Sequence, residues 1–313
     1  MPNTIQFSYH DMFEITKVIS EDLTHHNSFS FEVLNPDYCS STYAGTEVSI
    51  ENKLFIYRSY KAWNALAEQL FCRICTPKII NNHLIMITFE KLQKQHSFHH
   101  DKVSDKKEKY GVQSEFFNIN KLEEPNFLLA YKKALQSVKI ENREHILNLG
   151  VNRADEFIMI EKMCETVKKN FVGIDFSQSA INTAQKTFYH DNYNFICDDI
   201  NSIHNLELNP FDLIISIGTL QSPSINFKPF FMSLVQNLLT NNGAIILGFP
   251  NCRWIAGEMI YGAQPPNYNY SEMTQLYNDV DFCKRYLQQK KFRVTITGRE
   301  YIFLTATKIG IKD

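Results

Sequence analysis

Four short groups of residues in the second half of the chain are of types that ligand chemistry uses, and each closes a run of apolar residues. Gly150-Val151-Asn152-Arg153 follows "HILNLG" (145–150), Asp175 ends "FVGID", Asp198-Asp199 follows "NFIC", and Ser216-Ile217-Gly218-Thr219 closes "FDLIISIG". A glycine after a strand lets the turn run close to a ligand. Asp175 stands 25 residues beyond Gly150, where a carboxylate can accept hydrogen bonds from both hydroxyls of a ribose. A carboxylate followed by a backbone N–H, as at Asp198-Asp199, can read an adenine edge. The small polar group at 216–219 lies where a reacting atom would sit. Taken singly, each has a plain structural reading: a tight turn, a helix cap, a solvated loop. Taken together, all four fall at the ends of consecutive strands, where open α/β sheets bind their ligands.

The surrounding pattern supplies the elements that would position them. Helices are expected over 125–138, with Pro125 near the start, and over 155–170, 178–190 and 227–243, the last stopped by Asn-Asn-Gly. A long helix is expected over 271–291 with Ser271 as cap. Strands are expected at 145–150, 171–177, 193–200, 211–218 and 244–250; the run at 211–218 is apolar enough for burial on both faces. Such alternation implies a parallel, doubly wound α/β sheet. The closing strands 292–298 and 301–308 are separated only by Arg299 and Glu300, too few residues for a crossover, so they must pair antiparallel.

Upstream, residues 1–92 read as a smaller α+β domain. Strands are expected at 28–34, 47–59 (a hairpin about Glu51-Asn52) and 82–92, with a helix at 60–71. Residues 93–111 are polar and mixed in charge, a linker, and 112–313 form the larger domain. Residues 1–92 have the makings of a substrate-docking or dimerisation module, and a homodimer is one expectation.

At 313 residues with 44% hydrophobic and 21% charged residues, the chain suits a protein with a sizeable core. A net charge of −2 offers no global field for nucleic acid or anionic lipid. No stretch is apolar enough to span a membrane, and the N-terminus lacks an export signal. Seven scattered cysteines then read as reduced thiols of a cytoplasmic protein. The pair Cys72/Cys75 has no second ligand pair at zinc spacing, and His96, His99 and His100 fall in the polar linker, so no metal is expected.

The segments "ILNLGVNRADE", "GIDFSQSAINTAQK", "NFICDDI", "FDLIISIGTLQ" and "LLTNNGAIILGFPN", with the closing hairpin, resemble class I S-adenosylmethionine-dependent methyltransferases over about residues 110–308. The resemblance implies a Rossmann-like seven-stranded sheet with its last strand antiparallel, and S-adenosylmethionine as cofactor. It places Asn148, Gly150, Asn152, Asp175, Phe176, Asp199, Ile200, Ser216 and Gly218 around that cofactor. Two features depart from the family. Asn148 stands where the first motif usually carries an acid, and Asn152 and Ala154 replace its later glycines. An NAD-binding Rossmann domain is the nearest competitor, but a GxGxxG spacing fails here at two of three glycines.

Two segments are expected to cover the pocket. In the family the stretch before the first strand, here 109–127, often forms a lid; Tyr110, Ser114, Glu115 and Phe116 lie in it. The segment 249–270 is too long for a plain connector and rich in aromatic and polar groups. It offers Asn251, Arg253 and Trp254 for the substrate, with Glu258 and Tyr261 as candidate catalytic groups. Aromatic, near-neutral loops favour a small-molecule acceptor and in-line methyl transfer. The alternatives are a tRNA or protein methyltransferase using residues 1–92 for docking, with Lys102, Lys106, Lys107, Lys109, Lys132 and Lys133 as its basic patch, and a cofactor-binding protein without turnover.

Overall fold

The computed structural model describes residues 5–39, 41–93, 110–264, 268 and 270–310. The linker histidines and Lys102, Lys106, Lys107 and Lys109 lie outside the described residues. The chain divides into two compact units, residues 1–97 with 254–260, and residues 98–253 with 261–313.

The N-terminal unit carries β1 (Ile5–Gln6), α1 (Met12–His25), β2 (Ser28–Leu34), β3 (Glu47–Ile50), β4 (Lys53–Ile56), α2 (Tyr60–Gln69), β5 (Cys72–Ile74), β6 (Lys78–Ile79) and β7 (Leu84–Lys91). Its main sheet runs β1-β2-β7-β5, with β6 also on β7, and β3-β4 pair separately. The β3–β4 turn holds Glu51 and Asn52 at positive φ, as a two-residue hairpin requires. Helix α1 has no counterpart in the sequence reading. Its start is a capping box: the Asp11 carboxylate accepts from Glu14 N–H at 2.8 Å, and Glu14 accepts from Asp11 N–H at 2.9 Å. Ile15, Ile19 and Leu23, four residues apart, bury one face of α1 in a core with Phe31, Trp63 and Phe89.

The second unit carries α3 (Pro125–Ser137), β8 (His145–Leu149), α4 (Asp155–Met163), β9 (Asn170–Asp175), α5 (Gln178–Thr187), β10 (Tyr193–Cys197), β11 (Phe211–Ile217), α6 (Phe227–Ser233) and β12 (Leu239–Pro250). The chain continues through β13 (Cys252–Ile255), β14 (Glu258–Tyr261), α7 (Thr274–Gln289), β15 (Phe292–Thr297) and β16 (Tyr301–Lys308). The seven-stranded sheet runs β10-β9-β8-β11-β12-β16-β15. Only β16 is antiparallel to its neighbours, the arrangement that the short 299–300 turn demands. Alternation along β16 separates the layers. Phe303 meets Phe127 and Tyr131 of α3, while Leu304 joins the core formed with Phe231 of α6 and Leu287 of α7.

Three helix expectations need correction. Helix α4 ends at Met163 rather than 170, because Cys164 is already extended and Lys169 turns inward. The buried Lys169 ammonium donates to the carbonyls of Ile140, Glu141 and Arg143 at 3.0, 3.0 and 2.6 Å. Helix α6 stops at Ser233 and loosens through one wide turn at 234–238, and Thr240–Gly243 form a bulge in β12 instead of a helix terminus. Helix α7 starts at Thr274, where the Glu272 carboxylate, not Ser271, accepts from its N–H at 2.8 Å. Where the sequence suggests a loop, residues 252–261 form a hairpin of β13 and β14, and residues 254–260 group with the N-terminal unit.

Candidate active site

The loops at the carboxyl ends of β8, β9, β10 and β11 converge as the strand order dictates. The β8 loop has a single glycine yet three left-handed residues: Gly150, Asn152 and Ala154 have φ of +70°, +47° and +67°. Asparagine visits this left-handed region readily, and alanine does so at a cost of roughly 1–2 kcal/mol. The altered motif therefore preserves the backbone path. Gly150 itself is dictated by a neighbour, since a Cβ there would fall 2.0 Å from Thr219 Oγ1. Thr219 is thus part of the site, as its place at the β11 end allowed.

Asp175 organises the turn between β9 and α5. Its carboxylate accepts from Asn152 N–H at 2.9 Å and Ser177 N–H at 3.0 Å, and burial raises its carboxyl above the ordinary range despite those bonds. Asp199 is exposed; its carboxylate caps Asn201 N–H at 2.9 Å ahead of Ile200 and the 3₁₀ turn. Asp198 N–H donates to the Asp175 carbonyl at 3.0 Å, tying the two loops together. Ser216 is buried at the end of β11, and its hydroxyl has no hydrogen-bond partner among the described residues. Gly218, at φ +77°, donates to the Gly248 carbonyl at 2.8 Å.

Asn148, at the end of β8, is buried, and Glu156 from the first turn of α4 approaches its Nδ2 at 3.4 Å. The carboxylate absent from position 148 is thus supplied from α4. Lys121 balances Glu156 at 3.2 Å and lies over the rings of Phe127 and Tyr301. Sequence reasoning named neither Lys121 nor Glu156; the spacing of eight residues from Asn148 to Glu156 spans a turn and gives no periodic signal.

The segment before the first strand closes onto this loop. Asn152 Nδ2 donates to Tyr110 O at 2.8 Å, and Val112 N–H donates to Ser179 Oγ at 3.0 Å. Arg153 is the main anchor: Nη1 and Nη2 donate to Phe117 O and Ile119 O at 2.9 and 3.3 Å, Nε pairs with Asp155 at 2.8 Å, and the guanidinium lies over the Phe117 ring. Tyr110 packs edge-on against Phe116 and faces Phe176, which stays partly exposed; burial raises the Tyr110 phenol. Ser114 is buried and bonds Gly111 O at 2.7 Å, while Glu115 is exposed.

At the end of β12, Asn251 is fully buried and bonds the Glu300 and Arg299 carbonyls at 2.7 and 3.0 Å. Arg253 Nη1 donates to Gly262 O at 2.7 Å, and the Arg299 guanidinium stacks on Tyr261 at 4.9 Å. Of the expected pocket residues, Tyr110, Glu115, Asn251, Arg253 and Tyr261 share the unit that carries the cofactor loops. Trp254 and the exposed Glu258 belong to the N-terminal unit.

The strand order with one antiparallel strand and the loops at its carboxyl ends define a Rossmann-like, ligand-binding α/β domain. Residues 140–293 match the family model described as a methyltransferase domain. Among curated proteins none matches the sequence. Among solved structures, one from Aquifex aeolicus described as a SAM-dependent methyltransferase is 17% identical, with TM-score 0.42 over 60% of this chain and 96% of that one. A TehB-like SAM-dependent methyltransferase from Corynebacterium glutamicum is 16% identical, with TM-score 0.38 over 57% and 86%. The plantazolicin methyltransferase BpumL, solved with a desmethylPZN analogue and SAH, is 14% identical, with TM-score 0.43 over 62% and 89%. Among the described residues no helix is long and apolar enough to cross a membrane.

Proposed function

We propose that the enzyme methylates a small-molecule acceptor in a site enclosed by residues 110–119. The observation that carries this reading is the set of bonds from Asn152 and Arg153 that hold the 110–119 segment down on the cofactor loops. A segment held this closely suits a pocket that excludes water more than a groove open to a polymer.

The residues fit the cofactor. Asp175 has acceptor capacity left for ribose hydroxyls beyond its backbone donors at Asn152, Phe176 and Ser177. Asp199 and the Ile200 N–H stand at the β10 end for the adenine edge, and Phe176 and Tyr110 offer ring faces to the base. Asn148, Gly150, Asn152, Ser216 and Gly218 surround the place for the amino-acid end, where the unpartnered Ser216 hydroxyl awaits a partner. Bound S-adenosylmethionine supplies an electrophilic methyl group on a sulfonium. The protein's part is to hold acceptor and methyl group in line and to keep water out.

The test is transfer of tritium from methyl-labelled S-adenosylmethionine in a cell extract, fractionated by size and treated with nuclease or protease. The proposal predicts label in the small-molecule fraction. Label removed from a macromolecular fraction by nuclease or protease would replace it with the RNA or protein reading.

A further inference from the structure

Glu300 lies outside the cofactor loops and was read in the sequence only as a turn residue. It is 5% exposed. Its Oε1 accepts from Asn126 Nδ2 at 3.0 Å and pairs with Arg299 Nε at 3.3 Å, whereas Oε2 is buried with no hydrogen-bond partner among the described residues. Next to it, the Asn251 amide has a fixed orientation. Its Nδ2 faces the Arg299 carbonyl, which can only accept, so Oδ1 must point away. That oxygen is also buried and without a partner.

Two buried acceptors, on Glu300 and on Asn251, whose backbone N–H bonds the Glu300 carbonyl at 2.7 Å, therefore lack donors among the described residues at the carboxyl end of β12. Buried polar atoms are nearly always paired, and exceptions concentrate where a ligand supplies the missing partner. Lys121 does not fill the gap, being committed to Glu156 at 3.2 Å. The two side chains in contact with the carboxylate reach solvent: Asn126 is exposed, and Arg299 is 56% exposed.

We propose that Glu300 and Asn251 form the acceptor subsite and recognise a basic nitrogen carrying at least two N–H groups, so that the substrates are small amines. The proposal rests on the small-molecule reading above. A hydroxyl brings one donor and no charge; an ammonium brings several donors and the charge that complements a buried carboxylate. Arg299 and Asn126 act on Oε1 and leave Oε2 for the ligand.

The test uses the full chain, with and without saturating S-adenosylhomocysteine. The probes are 2-phenylethylamine and 1,4-diaminobutane against 2-phenylethanol and 1,4-butanediol, read by saturation-transfer NMR and calorimetry. Amines should bind and the matched alcohols should not. Glu300→Gln should weaken amine binding at least tenfold, leave S-adenosylhomocysteine affinity within about twofold, and hold or raise Tm, since it removes an incompletely paired buried charge. A merely structural carboxylate would instead lower Tm on substitution and leave probe binding alone. Equal binding of alcohols, no binding of either amine in either state, or unaltered amine binding in Glu300→Gln would overturn the proposal. Amine binding without any affinity for S-adenosylhomocysteine would uphold the subsite and remove the methyltransferase reading on which its role rests.

Discussion

Gly150→Ala tests whether the β8 loop is set by contact with the β11 loop. Two costs add at this position. The backbone sits at φ +70°, where alanine costs roughly 1–2 kcal/mol, partly offset by about 0.4–1 kcal/mol from a less flexible unfolded chain. The new Cβ also meets Thr219, at 2.0 Å from Oγ1, 2.6 Å from Cγ2 and 2.8 Å from Cβ, and overpacking of this kind costs about 1–3 kcal/mol. The sum is a loss of about 1–5 kcal/mol. Thr219→Gly removes all three clashing atoms, so the double variant should recover the steric part and keep the backbone part. The cycle should show coupling of about 1–3 kcal/mol. Trp63 and Trp254 both belong to the N-terminal unit, so tryptophan fluorescence would report on the wrong half. Amide hydrogen exchange in β8 and β9 under native conditions reads the right one. A Gly150→Ala loss below about 0.5 kcal/mol, or no coupling to Thr219, would refute the close approach of the two loops.

Other consequences are equally direct. Lys121→Met leaves the buried Glu156 carboxylate uncompensated and should destabilise the C-terminal unit by about 3 kcal/mol in urea unfolding, with Glu156→Gln in the same chain restoring most of it. Asp175 has a raised folded-state carboxyl, so its contribution to stability is present below the unfolded carboxylate value and lost as pH rises through the folded one. Ribose hydroxyls donating to it would favour the charged form, so S-adenosylhomocysteine affinity should fall as pH drops into that window; calorimetry across pH checks this, and a flat profile would count against the ribose contact. Burial pushes the Cys252 thiol up to about 12, so at pH 8 iodoacetamide should label the exposed Cys197 and spare Cys252 in the folded protein, as peptide mass mapping would show.

The sheet was readable from the sequence because its signals are local: apolar runs for buried strands, and a two-residue turn that admits only an antiparallel pair. The ends of the helices were less so. Lys169 looks like a solvated helix residue, yet it ends inside, held by three carbonyls that come from a different part of the chain. Asn242-Gly243 resembles a helix stop, but the same residues serve a bulge in β12 whose register is fixed by β11. Helix α1 was missed although its capping box was visible at Asp11 and Glu14, because its apolar face is narrow and interrupted by charge. Within the site, Gly150, Asp175 and Asp199 stand out because each follows a strand. Glu156, Lys121 and Glu300 do not, because what marks them is burial and partners distant in sequence. Asn152 and Ala154 read as lost glycines, whereas the backbone retains the positive φ that glycines would have served.

The central claim is that this glycine-poor loop still binds the cofactor, and calorimetric titration of the full chain with S-adenosylhomocysteine tests it most directly, with Asp175→Ala alongside. The account predicts micromolar binding, weakened by the substitution by about 1–3 kcal/mol as ribose hydroxyls lose their acceptor. No binding by a folded wild-type sample, or equal binding by both proteins, would contradict it.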